Sequence, residues 1–167
     1  SCELPVISHK RPAENQGVVG VDLGVRELAV CSNGYRVPGP KAYVEHLKKL
    51  KRLQRSLSRR EKGSKRYQKR RVEIAKLHHR IRNLRLELLH QLTSYLTGHF
   101  HTIGIENLNV SGMLKNHRLA MRIADMGFYE FRRQLTYKAQ ARGCEVVIID
   151  RYYPSSRLCR HCGQKNE

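Results

Sequence analysis

The chain has 167 residues, enough for one domain with a sizeable core, or one domain with an appendage. Lys and Arg number 33 against 14 Asp and Glu, a formal charge of +19, and a chain that repels itself this strongly points to a polyanion, with nucleic acid the default. No apolar run approaches the roughly twenty residues of a membrane span, residues 1–12 show no secretory apolar core, and five cysteines without a disulfide framework suit a reducing cytosol.

Residues 1–16 are short, mixed and hold Pro5 and Pro12, so they read as a linker or the remnant of an upstream module. Three short β runs follow: Val18 to Leu23, Glu27 to Ser32 and Tyr35 to Pro38, the last two joined by "SNG", a tight hairpin signal. From about residue 42 to 100 the period changes. Tyr43, Leu47, Leu50, Gln54 and Leu57 recur at helical spacing, Gly63 interrupts, and Ile74, Leu77, Ile81, Leu84, Leu88, Leu92 and Leu96 resume the stripe. The pattern predicts a long antiparallel helical hairpin turning near Gly63.

Between residues 41 and 90 stand 18 Lys or Arg against 4 Glu. An ordinary exposed helix mixes its signs for solubility; this one does not. Lys48, Lys49, Lys51, Arg52, Arg55, Arg59, Arg60, Lys69, Arg70 and Arg71 are therefore the candidate phosphate-contacting residues. "FHTIGIENL" reads as a fourth strand, "NLNVSGM" as a mobile loop over the cleft, and the segment after it as a weak helix. Phe128 to Ala141 reads as a helix closed by Gly143. "CEVVIID" reads as a buried strand of the parallel-sheet kind, with Cys31 and Cys144 as small core residues. The order β-β-β, helices, β, helix, β is an α/β domain with a mixed sheet.

Two strands carry an acid among apolar residues: Asp22 in "VGVDLG" and Glu106 in "IGIENL". A carboxylate inside a strand is costly unless it is paired, protonated or metal-bound; at a strand end it is merely solvated. Side chains alternate, so Gly20 shares a face with Asp22 and Gly104 with Glu106. Each acid has a bare neighbour where a phosphodiester backbone could approach. If the two strands are adjacent, their carboxylates could share Mg²⁺ or Mn²⁺, hard ions that take oxygen ligands. Two such ions cut phosphodiesters by activating water and stabilising the leaving oxygen.

At this point "GVDLGVRELAVCSNG", the basic hairpin, "IGIENLNVSGM" and "RRQLTYKA…VVIIDRYYPSSRLCRHCG" resemble the TnpB (OrfB) proteins of bacterial and archaeal insertion sequences, relatives of type V CRISPR effectors. The likeness covers roughly residues 17 to 163, with the motifs in the family's order. It implies a RuvC-type, RNase H-like fold of sheet order 3-2-1-4-5 with the hairpin inserted between strands 3 and 4, over residues 17–153. It implies guide RNA and target DNA as partners, and a cytoplasmic, nucleoid-associated setting in a bacterium or archaeon. Asp22 matches the first metal-binding acid and Glu106 the second; the third follows a zinc ribbon of two CxxC pairs.

Cys159 and Cys162 match the first pair, and residues 154–167 correspond to the first half of that ribbon. The second pair and the third acid are not in the sequence. The expectation is therefore weak cleavage or none by this chain alone, and zinc bound weakly or only between two chains. Asp150 and Asp125 are candidate substitutes for the third acid, Asp150 more in keeping with a structural part. Tyr152 and Tyr153 are candidates for stacking on bases or for packing under the ribbon, and His161 reads as a ribbon-tip residue. Two rival readings share this pattern: a nuclease-dead nucleic-acid-binding remnant or regulator, and a transposase of the same fold that joins DNA ends.

Overall fold

A computed structural model describes residues 17–150 of the chain. Its elements are β1 (Val18–Leu23), β2 (Glu27–Cys31), β3 (Arg36–Pro38), α1 (Ala42–Ser58), α2 (Lys65–His99), β4 (Thr102–Glu106), α3 (Val110–Leu114), α4 (Ala120–Met126), α5 (Phe128–Arg142) and β5 (Glu145–Ile149). The five strands form one sheet in the order β3-β2-β1-β4-β5. β1 pairs antiparallel with β2 and parallel with β4, and β4 pairs parallel with β5. The sheet order, the mixed sheet and the hairpin between β3 and β4 are as expected.

The core lies on one face of the sheet. Val19, Val21 and Leu23 of β1 and Ile103 and Ile105 of β4 are buried with Leu88, Leu92 and Leu96 of α2 and Phe131 and Leu135 of α5. Alternation then turns Val18, Gly20 and Asp22 to the opposite face, where Val18 is 73% exposed. α2 is long enough, about 50 Å at 1.5 Å per residue, to serve two cores. Its second half lies in the main one. Its first half packs on α1 in a smaller cluster of Leu50, Leu53, Leu77 and Ile81, with Ile74 and Leu84 beside it. Ser64 caps α2, its hydroxyl accepting from the Tyr67 amide at 3.1 Å. Gly63 supplies the positive φ (88°) of the turn.

Four readings change. In α1 the buried position is Leu53, while Gln54 is exposed; the stripe steps from Leu50 by three and then four residues to Leu57. (The side chain of Tyr43 lies outside the described residues.) "NLNVSGM" contains a short helix, α3, whose N-cap Asn109 accepts from the Gly112 amide at 3.0 Å, and Leu108, Val110 and Met113 pack against the main core. β5 is not buried. It is an edge strand, with Val147 41% and Ile149 37% exposed, because among the described residues it has one sheet neighbour. Cys31 is a core residue, its thiol pushed up to about 11 by burial, but Cys144 is half-buried and donates to the Thr97 carbonyl at 3.3 Å.

Candidate nuclease site and nucleic-acid face

The parallel register of β1 and β4 places Gly20 directly beside Gly104 and Val21 beside Ile105. One step further along the same ladder stand Asp22 and Glu106, on strands about 4.8 Å apart. Both acids are solvent-exposed, Asp22 next to last in β1 and Glu106 last in β4. The cost of a buried carboxylate is therefore not incurred, and expense is no argument for a metal at either position. The matched geometry is the stronger observation. Among the described residues a Cβ at Gly20 would meet Ser32 alone, at 3.9 Å, so the surface beside Asp22 is open; beside Glu106 the expected bare neighbour, Gly104, is instead buried, and a Cβ there would lie 3.5 Å from the Ile149 Cδ1. Ser32 is a neighbour the sequence did not single out. Its hydroxyl accepts from the Gly20 amide at 3.1 Å, and its own amide donates to the Gly20 carbonyl at 2.8 Å. Its place in the hairpin beside β1 was the available signal.

Two exposed carboxylates side by side suit a hard divalent ion that keeps several waters and takes its remaining ligands from a phosphate. No third acid of the described residues joins them: no group of three His, Cys, Asp or Glu there is close enough to share a metal. Asp125 is 1% exposed and forms a salt bridge with Arg85 of α2, which assigns its carboxylate to structure. Asp150 follows Ile149, the register partner of Glu106 on β5, and is one residue out of step with the acid face. Cys159, Cys162, His161, Tyr152 and Tyr153 lie outside the described residues.

The basic candidates separate into groups. Lys48, Lys51, Arg52, Arg55, Arg59 and Arg60 line one open concavity of about 800 Å³ along α1 and its C-terminal turn. Lys49, Lys69 and Arg71 are exposed outside it, and Arg70 is tied to Glu73 at 2.6 Å. The Nε of Arg60 is buried without a hydrogen-bond partner among the described residues. No helix among the described residues is long and apolar enough to cross a membrane.

Comparisons with known proteins bear on the family and the fold. A family model described as OrfB_IS605, "Probable transposase", matches residues 1–117, and a Cas12f1-like TNB domain model matches residues 128–167. A "Putative RNA-guided DNA endonuclease" of Streptomyces pristinaespiralis is 40% identical over 145 residues, 87% of this chain and 36% of that protein. InsQ of Escherichia coli K12, which carries the same description, is 38% identical over 161 residues, 87% of this chain and 40% of its own length. The chain thus spans well under half of these relatives. Among solved structures, Cas12f1 in a complex with sgRNA and target DNA superposes with a TM-score of 0.55 at 18% identity, over 89% of this chain and 39% of that one, a likeness of fold. Matched by its family model over residues 1–117, and 38–40% identical to these relatives, the chain belongs to the OrfB (TnpB) family.

Proposed function

We propose that this chain is the RuvC-like nuclease domain of an RNA-guided DNA endonuclease, with Asp22 and Glu106 holding Mg²⁺ or Mn²⁺ for hydrolysis of a DNA phosphodiester. The observation that carries the reading is the pair of exposed carboxylates two register steps beyond the paired Gly20 and Gly104 on adjacent parallel strands. When bound, the metal supplies an activated water and neutralises charge at the leaving oxygen. The two carboxylates bind the ion and fix its place on the sheet. Gly20 leaves the strand surface beside Asp22 bare enough for a phosphodiester to lie against it, while Gly104 is buried with the Ile149 side chain over it. The cations along α1 hold the backbone of the same or a neighbouring strand.

The partners proposed, guide RNA and target DNA, follow from the descriptions of the relatives. Cys159 and Cys162 are proposed as two ligands of a zinc ribbon, which needs four. With two acids and no third beside them among the described residues, the domain is expected to bind the ion and to cut weakly or not at all by itself.

Titration with Mn²⁺, followed by electron paramagnetic resonance, tests the metal assignment. Asp22→Asn and Glu106→Gln should each weaken binding by about tenfold or more, since each removes one of two anionic ligands from a hard-ion site. Unchanged binding in both variants overturns it. On labelled single-stranded DNA with Mg²⁺, any cleavage should leave a 5′ phosphate and vanish in Asp22→Ala. Joined products instead of cut ends would identify an end-joining transposase. Tight, salt-sensitive DNA binding indifferent to Mg²⁺ and to Asp22→Ala would identify a nuclease-dead binder.

A further inference from the structure

A second concavity, of about 500 Å³, lies between the loop after β1, the end of β3, the start of α1 and the helix α4. That is within the size range of small-ligand sites. Val25, Pro40, Val44, Leu119 and Met126 give it an apolar wall, and Arg26, Lys41 and Arg122 stand among them. The three cations are exposed, and no carboxylate of the described residues forms a salt bridge with any of them. Asp125, the one acid among the described lining residues, is engaged by Arg85. Met126 reaches the wall because residue 39 is glycine: a Cβ there would lie 2.7 Å from the Met126 Cε.

The position matters as much as the chemistry. Arg26 follows Asp22 by four residues, and the chain spans at most about 3.5 Å per residue. The Arg26 edge of the concavity therefore lies within about 14 Å of Asp22, measured between Cα atoms.

We propose that this concavity binds one nucleotide of a single-stranded nucleic acid, its base against Leu119, Val25 and Met126 and its phosphates on Arg26, Lys41 and Arg122. An apolar wall beside cations with no acidic partner among the described residues matches the two halves of a nucleotide, a flat weakly polar base and an anionic phosphate. The inference rests on the nucleic-acid reading above.

The test uses fluorescein-labelled decathymidylate, decauridylate and a decamer of abasic deoxyribose phosphate. The double variant Arg26→Ala/Arg122→Ala should weaken binding of decathymidylate or decauridylate on the order of tenfold near 0.1 M salt, and lower the log–log salt slope by about 0.7 for each phosphate no longer neutralised. Whichever polymer shows the larger loss is the one held. The chain has no tryptophan, so Leu119→Trp, at an exposed position, introduces a single reporter. Its emission should change when the base-bearing oligonucleotide binds and stay constant, at equal occupancy, with the abasic decamer. Unchanged affinity in the double variant while the wild type binds, or an equal response to the abasic decamer, overturns the nucleotide site and leaves the nucleic-acid reading standing. Failure of the wild type to bind any of the three overturns both.

Discussion

Lys138 of α5 shows how single residues fasten the helical layer. Its ammonium donates to the His90 carbonyl at 2.9 Å, the Thr93 hydroxyl at 2.8 Å and the Ser94 hydroxyl at 2.9 Å, all on α2. Arg142, one turn on, donates to the Ser94 carbonyl and the Thr97 hydroxyl, both at 2.8 Å. The three acceptors favour the charged amine, yet burial first and the charge of Arg142 second pull its pKa down to about 8 from the ordinary 10.5. Between about pH 8 and 10.5 the unfolded chain therefore holds a proton that the folded chain has released, so folded-state stability rises with pH across that window. Below about pH 8 both states are protonated and the contribution is flat. Lys138→Met keeps much of the aliphatic stem and removes the titration. Urea midpoints measured from pH 7 to 10.5 should show wild type gaining on the variant only above about pH 8. A constant difference across the range would refute the assignment. None of this is legible in the sequence, because Lys138 and its acceptors lie 44 to 48 residues apart. A separation of 40 residues likewise hides the Arg85–Asp125 pair, and with it the structural part of the Asp125 carboxylate.

The elements themselves are more legible than their surroundings. β1 and β4 announce themselves by alternation, and Gly20–Asp22 and Gly104–Glu106 share faces by that period alone. The parallel register that sets them side by side belongs to tertiary structure. β5 reads as buried because "VVII" is continuously apolar, yet its exposure depends on what covers the sheet, which its own residues do not encode. α3 escapes a sequence reading because five residues with a glycine at their centre look like a loop, while one side-chain bond, from Asn109, closes the turn.

The helical stripes are legible over α1 and α2, but the division of α2 between two cores is not, and it has a consequence. Ile81 is buried in the small α1–α2 cluster, apart from the main core. Ile81→Ala should cost about 2–4 kcal/mol of local stability. The loss should be confined to the hairpin, since the remaining contacts of β1, β4 and α5 are untouched. Hydrogen exchange should accelerate over residues 47–81 and remain at wild-type rates in β1 and β4. Equal acceleration in both regions would show that the two clusters unfold as one.

At the scale of the molecule, charge distribution decides what the hairpin is for. A helix needs only one apolar stripe to pack, and α1 meets that need with Leu50 and Leu53. Its other faces carry Lys48, Lys51, Arg52, Arg55 and Arg59, exposed and gathered on one concavity, in a segment with few acids to neutralise them. Holding like charges together raises the energy of the free protein, and a polyanion relieves it by releasing its own condensed counterions. The α2 cluster differs: Arg70 is already paired with Glu73, and Lys69 and Arg71 stand outside the concavity on α1. The two clusters should therefore contribute unequally, although composition alone ranks them alike. Lys51→Ala/Arg55→Ala/Arg59→Ala should reduce the log–log salt slope for single-stranded DNA by about 2, at roughly 0.7 for each phosphate left without its cation. Lys69→Ala/Arg70→Ala/Arg71→Ala removes the same formal charge and should reduce it by about half as much or less, a difference that net charge cannot produce. Equal losses in the two triple variants would mean that the hairpin acts through its total charge, and that the concavity on α1 is not where the strand lies.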